Sequence, residues 1–172
     1  IYFTAQSAVR DLLPPQEQFD ADEIQLDRAA QRTLRNCMQE VVLDGPKRDR
    51  RLWLGDLRLE AQVNAVTFRN FDLFERCIYL LAAFPHANGQ IPACIFDKPH
   101  PYGCRCVLSD YSFLFSDLLL LHYQETGNRK LLEEMYPLAK KQFDLFRADC
   151  RNTFSGGGIP KTFIDWCNFD RT

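Results

Sequence analysis

The chain is predicted to be all-α, a toroid of helical hairpins whose functional residues gather in the loops at one rim. Three observations carry this prediction. Apolar residues recur at spacings of three and four in five stretches of about 12–20 residues, no stretch alternates apolar and polar residues as a strand would, and the connections alternate between short and long. The 172 residues suit one domain or a piece of a larger one, and 46% hydrophobic residues are enough for a real core.

In chain order, residues 1–19, with Pro14-Pro15, read as a lead-in from a preceding segment. Asp20 or Asp22 can cap a first helix in which Leu26, Ala30, Leu34, Cys37 and Val41 form the apolar stripe. Asp56 can cap a second helix, with Leu57, Leu59, Val63 and Val66 as its apolar positions. A third starts near Asn70 and presents Phe74, Cys77, Ile78, Leu81 and Phe84 before Pro85 ends it. The stretch 85–109, rich in Pro and Gly, reads as a long loop of the functional kind. Ser109 or Asp110 starts a fourth, strongly apolar helix, buried on most sides, with His122 at the border of one face; Gly127 stops it. The fifth carries Leu132, Met135, Ala139, Phe143, Phe146 and Cys150, with Pro137 marking the first turn of its main body. A last loop, 151–167, holds the pair Asp165-Trp166.

Composition narrows the function. A net charge of −2, from 21 basic and 23 acidic residues, gives no excess to attract nucleic acid or an anionic membrane. The longest apolar runs, Ile78–Phe84 and Leu118–Leu121, fall far short of the ~20 residues of a transmembrane helix. Small neutral ligands fit better, and 13% aromatic residues leave some for stacking on carbohydrate. No cofactor is implied. Seven cysteines follow no regular spacing; His100, Cys104 and Cys106 lie close together but lack the paired Cys-x-x-Cys spacing of zinc sites, so no metal is assigned and an ordinary loop is expected. Both ends read as cut from a longer protein, and neither tells the compartment.

The densest chemistry lies in Asp44-Gly45-Pro46-Lys47-Arg48-Asp49-Arg50-Arg51-Leu52-Trp53-Leu54-Gly55-Asp56. Turn formers and charges disfavour an uninterrupted helix here, while Leu-Trp-Leu gives the segment something to bury. Guanidinium groups bind carboxylates and hydroxyls through forked hydrogen bonds, and an indole offers a flat apolar face to a sugar ring. Two readings follow: a sugar-binding and acid-catalysis loop, or a charged surface turn anchored by one core tryptophan.

This segment, with Trp53-x-Gly-Asp56 closing it, resembles the catalytic-domain motif of the glycoside hydrolase family 78 α-L-rhamnosidases, usually Asp-x-Pro-x-Arg-x-Glu-Arg-x-x-Trp-x-Gly-Asp. Ser109-Asp110 opening a helix that closes with Glu125-Thr-Gly-Asn and runs on into Leu-Leu-Glu-Glu-Met-Tyr-Pro is similar to the family's next hairpin, and Asp165-Trp166 to a later Asp-Trp element. The resemblance implies that residues 20–172 are the first half of an (α/α)6 barrel completed by the remainder of the same polypeptide. It also implies inverting hydrolysis of terminal α-L-rhamnosides, in which one carboxylic acid protonates the leaving oxygen and a second carboxylate, in the other half of the barrel, activates water.

By the same resemblance Asp44 and Arg48 bind sugar hydroxyls, Trp53 packs near the ring, and Asp165 and Trp166 line the pocket. Asp110 joins them or merely caps its helix. Arg50 stands where the family has its general-acid Glu, unless a one-residue gap falls there, and a guanidinium donates no proton at neutral pH. Asp49 is the nearest replacement and Asp56 the second. Leu108 and Ser109 occupy the place of a family tryptophan. The alternatives are a related (α/α)6 glycosidase of other sugar specificity and a non-catalytic carbohydrate-binding relative; a helical protein-binding scaffold finds little support. Family members are often exported, which leans towards a periplasmic or secreted protein.

Overall fold

The computed structural model describes residues 8, 9 and 20–155, with side chains through 148. Among the described residues there are five helices: α1 (Ala21–Cys37), α2 (Leu54–Val66), α3 (Phe71–Ala83), α4 (Ser109–Thr126) and α5 (Arg129–Ser155). Three short strands, β1 (Leu52–Trp53), β2 (Cys94–Phe96) and β3 (Tyr102–Gly103), form an antiparallel sheet in the order β1-β2-β3. No described helix is long and apolar enough to cross a membrane.

The helix starts follow from local hydrogen bonding. Asp20 caps α1 through a capping box, accepting from the backbone N–H groups of Asp22 and Glu23 while Glu23 reaches back to the Asp20 N–H. Asn128 does the same work for α5, accepting the Leu131 N–H at 3.0 Å while its amide donates to Glu75 on α3 at 2.8 Å. Gly127 ends α4 in the left-handed region (φ +68°), as its position after the apolar run requires. Buried Asn64 closes the α2–α3 turn, accepting the Asn70 N–H on its side chain and the Arg69 N–H on its carbonyl.

Two expected caps are not made. Asp56 lies in the first turn of α2, behind an N-cap at Trp53, and its carboxylate is engaged by Arg48. Leu108 is the N-cap of α4, so Asp110 does not cap that helix either. Pro137 lies inside a continuous α5 and marks no start. The hydrogen bond it cannot donate would have gone to the carbonyl of Glu133, and both residues are exposed, where water serves that carbonyl.

The core is contributed by all five helices and the sheet: Leu34, Met38, Leu52, Leu54, Phe74, Ile78, Ile95, Phe115 and Leu131 lie in one cluster. The stripe read for α3 is buried at Phe74, Cys77, Ile78 and Leu81. Other stripes are rotated from the expected ones. Leu26 is 71% exposed and Ala30 is exposed, because α1 buries only its C-terminal half, Gln31, Leu34 and Cys37. In α2, Leu59 and Val66 are exposed while Leu57, Ala61, Asn64 and Ala65 face inward. The apolar α4 buries Phe115, Leu118 and Leu119 and leaves Leu120 half exposed, and His122 is buried rather than at a border.

The stretch 85–109 is ordered by its partners. The side-chain oxygen of buried Gln142 on α5 accepts the Ile91 N–H at 3.0 Å, and its amide donates to the Gly89 carbonyl at 3.0 Å. Strands β2 and β3 then carry the stretch back against β1, with Leu52 opposite Ile95 and Trp53 opposite Cys94.

Candidate functional site

The segment 44–56 is a closed loop rather than a free turn. The Asp44 N–H donates to the Arg51 carbonyl and the Arg51 N–H returns to Asp44 Oδ1, both at 2.9 Å, which fixes the loop at its neck. Arg50, at φ +56°, turns the chain just before that closure. Arg48 folds back over Gly45, where a Cβ would sit 3.2 Å from its Cγ, and its Nε lies 3.1 Å from both the Asp44 carbonyl and Asp44 Oδ2. The far end of the same guanidinium pairs with Asp56 Oδ1. One arginine thus bridges two carboxylates; the Asp44 side chain is 2% exposed and that of Asp56 28%.

Trp53 enters from β1, the edge strand paired with β2. Its indole N–H donates to Asp49 Oδ2 at 3.2 Å, and its ring meets Tyr111 of α4 edge-on, centroids 6.3 Å apart. Tyr111 also lies over Gly55: a Cβ there would fall 2.4 Å from the tyrosine Cζ. The glycine of Trp-x-Gly-Asp is therefore the space that the Tyr111 ring occupies. Beside the loop opens a cleft of about 510 Å³ lined by Asn36, Leu43, Asp49, Arg50, Arg51 and Phe96. The Arg51 guanidinium lies 4.3 Å from the Phe96 ring centroid, a cation–π contact that ties the loop to β2.

Behind the loop is a carboxyl group that sequence reading missed. Glu60, one turn after Asp56 on α2, is largely buried and its Oε2 has no hydrogen-bond partner among the described residues. Burial first, and then the charge of Asp56, push it up to about 8. Cys37 of α1 lies close enough to interact with it, and burial, followed by the charge of Glu60, raises that thiol to about 12. Asp56 is itself raised, by burial, against the lowering effect of Arg48. A neutral Glu60 leaves the single Arg48 guanidinium one fewer negative charge to offset beside Asp44 and Asp56. The signal was present in the sequence as two acids four apart on a helix, Asp56 and Glu60, interleaved with the buried Leu57 and Ala61. Tyr111 carried no comparable signal, since nothing local links it to residue 53 or 55.

Of the residues singled out from the sequence, Asp44, Arg48, Asp49, Trp53 and Asp56 are brought together. Asp110 sits in the first turn of α4 beside Tyr111, and its Oδ1 is buried without a hydrogen-bond partner among the described residues. Tyr111 supplies an aromatic close to the place where Leu108 and Ser109 lack one. Asp165 and Trp166 lie outside the described residues. His100 approaches the Tyr102 ring, Cys104 faces Cys94, and among the described residues no group of three His, Cys, Asp or Glu could hold a metal ion.

The loop geometry can be set beside known proteins. No curated protein sequence matches the chain. A solved structure described as a rhamnosidase from Klebsiella oxytoca with rhamnose bound is similar over 81% of this chain, at 42% identity and a TM-score of 0.78. The match spans 27% of that structure's own chain, so the present sequence corresponds to about a quarter of its length. The bacterial alpha-L-rhamnosidase 6 hairpin glycosidase domain matches residues 20–172. With five helices in hairpin order and the closed Asp44–Asp56 loop between the first two, the chain belongs to the bacterial α-L-rhamnosidase six-hairpin glycosidase family.

Proposed function

We propose that the complete protein hydrolyses terminal α-L-rhamnosides of oligosaccharides, polysaccharides or glycosides with inversion, and that the Asp44–Asp56 loop is the acid side of its active site. In this reading residues 1–19 lead in from a preceding segment and residues 20–172 are the first half of an (α/α)6 barrel. The remainder of the same polypeptide completes the barrel and supplies the carboxylate that activates water. Inversion needs the two carboxyl groups about 6.5–9.5 Å apart, on opposite sides of the scissile bond.

One observation carries the choice of acid. Asp56 is engaged by Arg48, whereas Asp49 is exposed at the cleft and takes a single indole N–H on Oδ2. Its other oxygen is left to face a glycosidic oxygen. Asp49 therefore protonates the leaving group, and Asp56, the second candidate, holds Arg48 in place. Arg48 binds sugar hydroxyls and Asp44, buried beneath it, takes part by aiming its guanidinium, Trp53 offers a ring face, and Asp110 joins the site from the first turn of α4. Asp165 and Trp166 join the lining by family resemblance. The Klebsiella structure, described with rhamnose bound, supports the choice of sugar.

The test is hydrolysis of an aryl α-L-rhamnoside by the full-length protein, with the anomer of the first-formed product followed by NMR and a panel of other aryl glycosides alongside. Asp49→Asn is expected to lower kcat about 10²–10⁴-fold, with rhamnose binding kept. An equal or larger loss in Asp56→Asn with Asp49→Asn active would reassign the acid. Rhamnose binding without cleavage of any glycoside would make the protein a carbohydrate-binding relative.

A further inference from the structure

We propose that Cys94 and Cys104 form a thiol modification site: a cross-strand dithiol that a small disulfide of the glutathione type oxidises to an intrachain disulfide across the β2–β3 hairpin. The site stands apart from the sugar reading and depends only on the hairpin.

The strand register sets it up. Phe96 pairs with Tyr102 and Ile95 with Gly103, and that register continued one step past the end of β3 brings Cys104 opposite Cys94. The Cys104 N–H donates to the Cys94 carbonyl at 2.9 Å, and the Cys94 N–H donates to Cys104 Sγ at 3.2 Å. Directly opposed residues of an antiparallel pair have Cα atoms about 4.5–5.5 Å apart and side chains on the same face. That separation falls inside the ~4.4–6.8 Å range of disulfides, so the bond can close with little backbone movement.

The two sulfurs have different roles. Cys94 is fully buried, whereas Cys104 is partly exposed, so an external reagent meets Cys104 first. Cys104 Sγ takes the Cys94 N–H and also lies 3.3 Å from the Cys106 carbonyl, so it is the better solvated of the two sulfurs. Interaction with the Cys94 side chain and with backbone N–H groups draws the Cys104 thiol below the ordinary range, while burial and the charge of Cys104 raise exposed Cys106. Cys104 is thus the readier of the two to ionise, and the thiolate is the form that attacks disulfides.

The exchange balances. The Cys104 thiolate attacks one sulfur of oxidised glutathione, the glutathione S–S bond breaks, and one glutathione thiolate leaves and takes the Cys94 proton. The Cys94 thiolate then attacks Cys104 Sγ in the mixed disulfide and expels the second glutathione thiolate. The two protein sulfurs have been oxidised by two electrons in all, and one small disulfide has been reduced to a thiol and a thiolate, the latter taking its proton from water. Because Cys94 is opposite Trp53 in the β1–β2 pair, the new bond staples the hairpin that backs the Trp53 indole.

The experiment equilibrates reduced full-length protein with mixtures of oxidised and reduced glutathione, traps free thiols by alkylation, and maps the peptides by mass spectrometry. The expected result is a Cys94–Cys104 linked peptide at least tenfold above any other cysteine pair. Cys94→Ser is expected to stop at a glutathione adduct on Cys104, and Cys104→Ser to leave Cys94 unmodified. In the unsubstituted protein, which needs no variant to fold, the pH profile of Cys104 alkylation is expected to have its midpoint below the ordinary thiol range. The proposal is overturned if both thiols stay free in mixtures that oxidise a reference dithiol. A Cys104–Cys106 link in place of Cys94–Cys104, or a Cys104 midpoint in the ordinary thiol range near 8.5, would overturn it equally.

Discussion

Replacing Gly55 by alanine tests the packing that joins the loop to α4. A Cβ at this position would lie 2.4 Å from Tyr111 Cζ, 2.7 Å from its Oη and 2.8 Å from Cε1. Non-bonded carbons settle at about 3.5–4.0 Å, so the ring must retreat by roughly 1 Å or more. It cannot do so and keep its edge-on contact with Trp53, 6.3 Å between centroids at 87°. Overpacking of this kind costs about 1–3 kcal/mol, and the aromatic pair is worth about 0.5–1.5 kcal/mol. Alanine returns up to about 1 kcal/mol through helix propensity. The net expectation is a loss of about 1–3 kcal/mol, a Tm lower by about 1.5–5 °C in a barrel domain of about 300 residues. Calorimetry of the full-length protein measures this for Gly55→Ala alone and in a Tyr111→Ala background. If the ring is the obstacle, the second background abolishes the cost, a coupling of at least about 1 kcal/mol. An equal cost in both backgrounds, or no cost in the first, refutes the packing argument.

Glu60 gives a pH prediction. The folded protein holds its proton up to about 8, whereas the ordinary value is 4.5, so folding takes up a proton between these limits. Stability is then highest below about pH 4.5 as far as this group is concerned, and falls by up to a few kcal/mol as pH rises towards 8. Glu60→Gln is expected to flatten that slope in melts between pH 5 and 8, and an unchanged slope would mean that Glu60 is ionised in the fold. Gln142→Ala removes the acceptor of the buried Ile91 N–H and the donor to the Gly89 carbonyl. It should cost about 1–3 kcal/mol and raise amide exchange across residues 89–103 more than in α3, whereas uniform exchange throughout would contradict this local role.

The Trp-x-Gly-Asp spacing has a physical basis here. Trp53 ends a strand and points to Asp49, Gly55 admits Tyr111, and Asp56 one position later reaches Arg48. Changing the spacing by one residue would move each side chain by about 100° around the helix start, and the three contacts could not coexist. Burial of Glu60 in neutral form beneath this arrangement explains how three acids, Asp44, Asp56 and Glu60, share the neighbourhood of one guanidinium.

The sequence by itself determined the five helices, their order and the loop on which the site is built. These depend on local signals: apolar periodicity, the Asp20 capping box, the left-handed Gly127 and the charged, turn-rich run from Asp44 to Asp56. Order and spacing of the motifs were enough to place the chain near the α-L-rhamnosidases. Which face of each helix is buried was decided by packing, so Leu26, Leu59 and Val66 were read as core and lie outside it. Periodicity reports that a stripe exists but is blind to the helices that meet it.

The same limit applies at the site. Tyr111 lies 56 residues from Gly55 in sequence, and only the docking of α4 on α2 joins them. The stretch 85–109 reads as a loop because strands of two or three residues are too short to show alternation; they persist because Gln142 and β1 supply their partners. Burial and charge at Glu60, and the opposition of Cys94 to Cys104, likewise arise from neighbours distant along the chain. Local sequence sets which backbone hydrogen bonds form early and cheaply, whereas desolvation and side-chain contact depend on what the fold brings alongside, and only the tertiary structure decides that.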